Sequence, residues 1–135
     1  MSIVRTELTL KNWGDIHDSE EGRIKESEIR EMTVNALVDT GAWTLVINNE
    51  IKEKLGLEIT GKAPGILADG TEGRFDSVGP IEIWWKNRHV LLEALVLPEA
   101  KDVLLGAIPL EALDLTINPL RELVGAHGDE IVHRI

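Results

Sequence analysis

From residue 32 to residue 38 every second side chain is apolar (Met32, Val34, Ala36, Val38), and the run stops directly on Asp39-Thr40-Gly41. A period of two marks a strand with one face buried, because successive side chains of a strand leave opposite sides of the backbone. An amphipathic helix would need apolar spacings of three and four. An apolar strand that ends on an acid and a glycine holds that carboxylate rigidly at a chain bend, so the remaining residues have to supply a sheet around it.

They carry the signals to do so. Residues 3–10 alternate loosely, with Val4, Thr6, Leu8 and Leu10 on one side, and read as a first strand. Residues 11–28 turn polar (Gly14, Asp15, Asp18, Ser19, Glu20, Glu21, Gly22) and read as a solvated loop or loose hairpin, an insertion ahead of a core spanning about 30–120. Beyond the Asp-Thr-Gly turn, residues 43–47 are apolar and partly β-branched, a further strand. Asn48 or Asn49 can cap a short helix through Leu55, and Gly56 stands where a left-handed helix stop falls. Strands are expected at 57–60, 64–69, 74–85 and 89–97, with Ala68-Asp69-Gly70-Thr71 as the turn between two of them, since Asp-Gly tolerates the positive φ a hairpin turn needs. Leu104-Leu105-Gly106 closes another apolar strand, and Pro109 suits the first turn of a short helix through Leu113. Residues 115–117 and 121–126 are further strand candidates, 130–135 a weaker one. Strand, glycine turn and short helix occur at Asp39 and again, faintly, at Gly106. The expectation is an all-β closed barrel with two short helices, in one domain covering 1–135.

Charge and composition exclude several functions. Asp and Glu outnumber Lys and Arg by 24 to 14, a net charge of −10, which disfavours nucleic acid and anionic membrane surfaces as partners. The chain has no cysteine, so disulfides, thiolate metal sites and cysteine nucleophiles are out. Met1-Ser2-Ile3-Val4-Arg5 lacks the apolar centre of a leader peptide, and no apolar run nears the ~20 residues of a membrane span, which makes a cytoplasmic protein the expectation. Gly61-Lys62 lacks the upstream glycine and the following Ser or Thr of a phosphate loop. His17 among Asp15, Asp18, Glu20 and Glu21 could suggest a metal, yet Gly22 is misplaced for a calcium loop and a solvated acidic loop is the simpler reading. His89, His127 and His133 form no triad or zinc pattern, so neither a metal nor another cofactor is expected. Trp84 and Trp85, adjacent in one strand, should face opposite sides: one in the core, the other free for an interface or a groove.

Amide hydrolysis needs neither metal nor covalent nucleophile when two carboxylates hold one water between them. The ionised one takes the water's proton while the protonated one polarises the carbonyl. Two carboxyls that close cannot both be charged, so they share a proton. Asp-Thr-Gly alone reads either as a surface turn or as such a site; flanked by Ala36-Leu37-Val38 and by Ala42 with another apolar strand, it fits a buried loop better.

Ala36-Leu37-Val38-Asp39-Thr40-Gly41-Ala42 resembles the active-site segment of the retropepsin-like aspartic peptidases, the group that includes the retroviral proteases. Leu67-Ala68-Asp69-Gly70-Thr71 with Val78-Gly79-Pro80-Ile81-Glu82-Ile83 is similar to the flap hairpin of the small prokaryotic members. Val103-Leu104-Leu105-Gly106, Ile108-Pro109-Leu110-Glu111-Ala112-Leu113 and Ile117-Asn118-Pro119 resemble their hydrophobic-hydrophobic-Gly segment and closing helix, in the same order. The resemblance implies a closed β-barrel, Asp39 as the catalytic aspartate, Thr40 as its hydroxyl partner across a dimer axis, and Gly41 as the backbone group that meets substrate, beside Ala42. It implies that Ala68, Asp69, Gly70 and Thr71 fold over a bound peptide or protein segment, and that Leu105 and Gly106 support the active-site loop. Trp43 departs from the pattern, for many retroviral members carry an acid there that binds substrate main chain; here the site is more apolar, or Trp43 packs on the partner or the flap.

One Asp-Thr-Gly supplies one carboxylate, and a lone aspartate of ordinary acidity is ionised near neutrality and cannot act as the acid. A two-fold axis brings two copies of one residue together, so a homodimer is expected, with residues 120–135 adding strands to its interface. The alternatives are a silent peptide-binding or dimerisation module on the same fold, and a small-molecule barrel, which would be monomeric.

Overall fold

The computed structural model describes residues 3–135; Met1 and Ser2 of the segment read against a leader lie outside them. The chain runs through β1 (Arg5–Asn12), α1 (Trp13–Glu20), β2 (Glu31–Val38), β3 (Leu45–Ile47), α2 (Asn49–Leu55), β4 (Ile59–Ile66), β5 (Glu72–Trp85), β6 (Arg88–Val96), β7 (Val103–Leu105), α3 (Ala107–Ala112), β8 (Leu115–Ile117) and β9 (Leu123–Gly125). One sheet has the order β1-β2-β7-β3-β6-β5-β4, and β1 pairs again with β5, so the strands from β1 round to β5 close on themselves and β4 is left outside the ring. This is the closed barrel the alternating pattern calls for. No helix among the described residues is long and apolar enough to cross a membrane.

The buried faces follow the two-residue period. Val4, just ahead of β1, and Leu8 and Leu10 within it turn inward while Thr6, on the same side, accepts a hydrogen bond from Trp85 Nε1 at 2.9 Å. Leu45 and Ile47 of β3, Ile81 and Ile83 of β5 and Leu105 of β7 are fully buried beside them. Each such side chain contributes roughly 1.5–3 kcal/mol of hydrophobic stabilisation. Trp85 joins this core, whereas Trp84 stays outside, stacked on His89 at a centroid distance of 4.3 Å with Lys11 above it.

The capped helix sits where Asn48 puts it: the Asn48 side chain accepts from Ile51 N at 2.9 Å, and Gly56 ends α2 at φ 60°, ψ 36°. A Cβ on Gly56 would also press on the end of the flexible Arg30 side chain, but it is the left-handed φ that demands glycine there. α2 and α3 are the two expected helices.

Several expectations need correction. Residues 11–28 are not a solvated loop: β1 continues to Asn12, α1 follows, and a single 3-10 turn covers Glu26–Glu28. Asn12 caps α1 by accepting from Asp15 N at 3.0 Å and donates Nδ2 to Leu55 O at 2.9 Å, which fixes the helix to the end of α2. Asp15 is buried and accepts from Arg30 N, Nε and Nη2 at 2.8–2.9 Å. Trp13 stacks on His17 one turn later. The expected strands at 57–60 and 64–69 are one strand, β4, and the strand expected at 43–47 begins only at Leu45. Residues 130–135 form no strand. Instead the buried Arg88 donates to Leu113 O, Asp114 O and Gly128 O, and Asp114 accepts from His127 Nδ1 and Val132 N, which draws the C-terminal stretch against α3 and β8.

Candidate active site

β2 delivers Asp39. It lies between β1 and the parallel strand β7, in register Val38↔Leu105, and the Asp39 amide continues the ladder by donating to Leu105 O at 3.0 Å. The chain then leaves the sheet. The Asp39 carboxylate accepts from Gly41 N at 2.9 Å, and Ala42 N donates back to Asp39 O at 3.1 Å, so the acid is held by its own loop. A Cβ on Gly41 would come within 3.1 Å of Asp39 Oδ1, so only glycine leaves that carboxylate uncrowded. Asp39 is half-buried, while Thr40 and Gly41 are exposed.

The opposite side of the loop is fastened to α3. Helix starts leave amides without intrahelical partners. Here Gly106 N donates to Thr44 O at 3.1 Å, Ala107 N to Ala42 O at 2.9 Å and Ile108 N to Trp43 O at 2.7 Å. Pro109 has no amide to place, and Leu110 N makes the first bond within the helix, to Gly106 O. Every orphan donor at this helix start is therefore used on three consecutive loop carbonyls. Gly106 has an ordinary φ of −87°, but a Cβ there would stand 2.4 Å from Thr44 O and 2.7 Å from Ala42 O. Close backbone approach, not conformational freedom, is its reason.

Asp39, Thr40, Gly41, Ala42, Leu105 and Gly106 thus come together at one place. Ala68, Asp69, Gly70 and Thr71 do not join them: they form the tip of the β4–β5 hairpin. There Leu67 N donates to Thr71 O and Gly70 N, at φ 87°, to Leu67 O. Asp69 accepts from Thr71 N at 2.8 Å, and the Thr71 hydroxyl and amide hold its carboxyl below the usual range. Trp43, at the foot of the loop, is 79% exposed. A cavity of about 730 Å³ opens beside Thr40, bounded by Ala107, Leu110, Leu115, Ile131 and Val132.

Two features escaped the sequence reading. Thr44 Oγ1 donates to Glu93 O, and the Glu93 carboxylate accepts from Ser77 Oγ at 2.7 Å and Thr60 Oγ1 at 2.9 Å, which lowers its pKa and ties β4, β5 and β6 together beside the loop. And Phe75, the only phenylalanine, sits on the hairpin against Gly65 and Gly73. The spacing Gly73-x-Phe75 places both on one face of a strand and is the signal that could have located it.

A barrel wall that ends on a carboxylate, a loop fastened to a following helix and a projecting hairpin define an acid protease type of fold. The chain belongs to the aspartyl protease family, whose model matches residues 25–108, well over half of its 135 residues. Among solved structures it resembles EIAV protease complexed with the inhibitor HBY-793, with a TM-score of 0.55 and 21% identity over 83% of this chain and 88% of that one. That likeness is one of fold, the retropepsin-like barrel. No curated protein matches the chain by sequence.

Proposed function

We infer that the protein is an aspartic endopeptidase whose working form is a homodimer, with residues 1–135 acting as one domain. Two copies of Asp39 meet at the two-fold axis and share one proton over a water. The ionised carboxylate removes a proton from that water as it attacks the scissile carbonyl, and the protonated one donates to the carbonyl oxygen. Proton transfer then releases the amine. Thr40 bonds across the axis, and Gly41 and Ala42 offer backbone to an extended peptide lying as a strand. The hairpin tip, Ala68 to Thr71, covers that peptide, while Leu105 and Gly106 keep the loop in place.

The observation that carries this reading is the immobilised acid: a single Asp39, hydrogen-bonded inside its own loop, on a loop strapped to α3 through three backbone bonds. A surface turn has no need of such fastening.

Cleavage of an unfolded-protein digest, followed by mass spectrometry across pH with sedimentation on the same samples, tests it. Wild type should cleave best at mildly acidic pH, where the pair keeps its one proton. Asp39→Asn should lose at least about a thousandfold while remaining dimeric. Undiminished cleavage by Asp39→Asn, or a monomer at working concentration, would overturn the reading; intact dimers that cleave nothing would point to a silent module.

A further inference from the structure

Among the described residues β4 pairs with β5 and with no other strand, so the hairpin beyond the barrel is a two-stranded ribbon. Such ribbons are marginal by themselves in water. This one also contains a weak rung, because Gly65 stands directly opposite Gly73. Glycine in a strand brings excess conformational entropy and no side chain to pack.

Phe75 lies over that rung. It is two residues from Gly73 on the same strand and directly opposite Ala63, so Ala63, Gly65, Gly73 and Phe75 share one face of the ribbon. A Cβ built on Gly65 would meet the ring at 3.0 Å and one on Gly73 at 3.2 Å, and at Gly65 the ring is all that it would meet within 4 Å. Residues 63, 65, 73 and 75 are half-buried, whereas Lys62, Pro64, Ile66, Glu72 and Arg74 on the other face are exposed. The ring occupies the volume that two absent side chains would fill, the arrangement by which an aromatic neighbour restores order to a glycine-containing strand edge.

We propose that Phe75 is a positioning residue for the substrate-covering hairpin: its ring braces the Gly65–Gly73 rung and keeps the ribbon ordered enough to close on a peptide. The covering role rests on the peptidase reading above; the brace itself does not. Without the ring both glycines are released together, which amounts to about a tenfold fall in the ribbon's order–disorder equilibrium constant and, for a ribbon that is marginal to begin with, about a threefold loss in its ordered population. The bound peptide then has to order the hairpin, so the loss appears in KM more than in kcat.

Amide hydrogen exchange on the full-length chain reads the brace, and steady-state cleavage of a peptide identified from the digest reads the positioning. In Phe75→Ala, exchange at Leu67 and Gly70 should quicken about threefold while Ala107 and Ile108 stay as in wild type. KM should rise about threefold, with kcat changed by a smaller factor. Phe75→Tyr should behave as wild type. Phe75→Ala combined with Gly65→Ala should recover part of both effects, because the new Cβ enters space the ring has left and restricts the backbone. Unchanged exchange at the tip, or equal acceleration at Ala107, overturns the brace. Faster tip exchange with an unaltered KM overturns the positioning role. A wild type that cleaves nothing overturns the peptidase reading and the positioning role together, while exchange still decides the brace.

Discussion

The loop that carries Asp39 and the hairpin that carries Asp69 are both short glycine-containing bends between strands, yet they are built on opposite principles. In the first, the carboxylate bonds inside the loop and three loop carbonyls are taken up by the start of α3. Its glycines are there for want of room, Gly41 beside Asp39 Oδ1 and Gly106 against the backbone of Ala42 and Thr44. In the second, Asp69 and Thr71 satisfy each other locally, and Gly70 has nothing within 4 Å of a hypothetical Cβ. Its glycine is there for φ alone. A bend whose glycines are crowded is fixed by the rest of the molecule; a bend whose glycine is uncrowded is held by its own few bonds and can move. The proposed hydrolysis calls for both, an acid that does not wander and a cover that does.

Substitutions can break or sharpen this contrast. The largest effect is expected at Gly106→Ala, where the added methyl must displace backbone rather than a flexible side chain. It should cost about 3 kcal/mol, seen as a lower urea midpoint, and should accelerate amide exchange at Ala107 and Ile108. A midpoint equal to wild type would mean that the strap is looser than its distances imply.

Next comes Asp15→Asn, which breaks the bracket holding α1 to the barrel and should cost about 2 kcal/mol. The Arg30 side chain bonded to Asp15 holds its carboxyl below the usual aspartate range and raises the guanidinium in turn. A depressed folded pKa means stability that is fully present above the unfolded value near 3.8 and disappears as pH falls through the lower folded value. Wild type should therefore lose stability more steeply than Asp15→Asn below about pH 4, measured by urea midpoints across pH.

Smaller still is Gly70→Ala. Its left-handed φ costs about 1 kcal/mol, confined to the tip, so exchange at Leu67 and Gly70 should rise with no change in the urea midpoint. Least of all is Asp69→Ala, which removes an exposed Asx bond: the midpoint should stay put while limited proteolysis cuts the tip faster. A fall in the global midpoint for either variant would show that the hairpin is part of the cooperative unit and would erase the contrast.

What the sequence disclosed has the same division. Period-two runs, the Asn48 cap, the Gly56 stop and the Asp69-Gly70 turn depend on neighbours within a few residues, and each sits where local chemistry put it. The Asp39 loop and its support by Leu105 and Gly106 were legible through an ordered set of motifs. α1 was not, because its polar composition resembles a loop and its order depends on Asn12 reaching Leu55, 43 residues on, and on Asp15 reaching Arg30, 15 residues on. The C-terminal stretch was misread as a strand for a similar reason: Arg88 gathers the carbonyls of Leu113, Asp114 and Gly128, a set no local pattern announces. Phe75 went unnoticed because its partners are glycines, which leave no hydrophobic signal.

β5 is a single strand of 14 residues that starts in the hairpin and finishes in the barrel wall, pairing with β4 from Glu72 to Val78, with β6 from Ser77 onward and with β1 from Ile81 to Trp84. The register with β6 slips between Val78 and Ile81, just inside the wall. The hairpin is thus a cantilever. From Asp76, the last residue of β5 that pairs with β4 alone, to Glu72 it projects about 13 Å at roughly 3.3 Å per residue. A flex of about 10° at its root would sweep that end through about 2 Å, roughly half the spacing between paired strands. On the proposed reading of the hairpin as a substrate cover, a small rotation at one rung shifts the cover with the wall itself left standing.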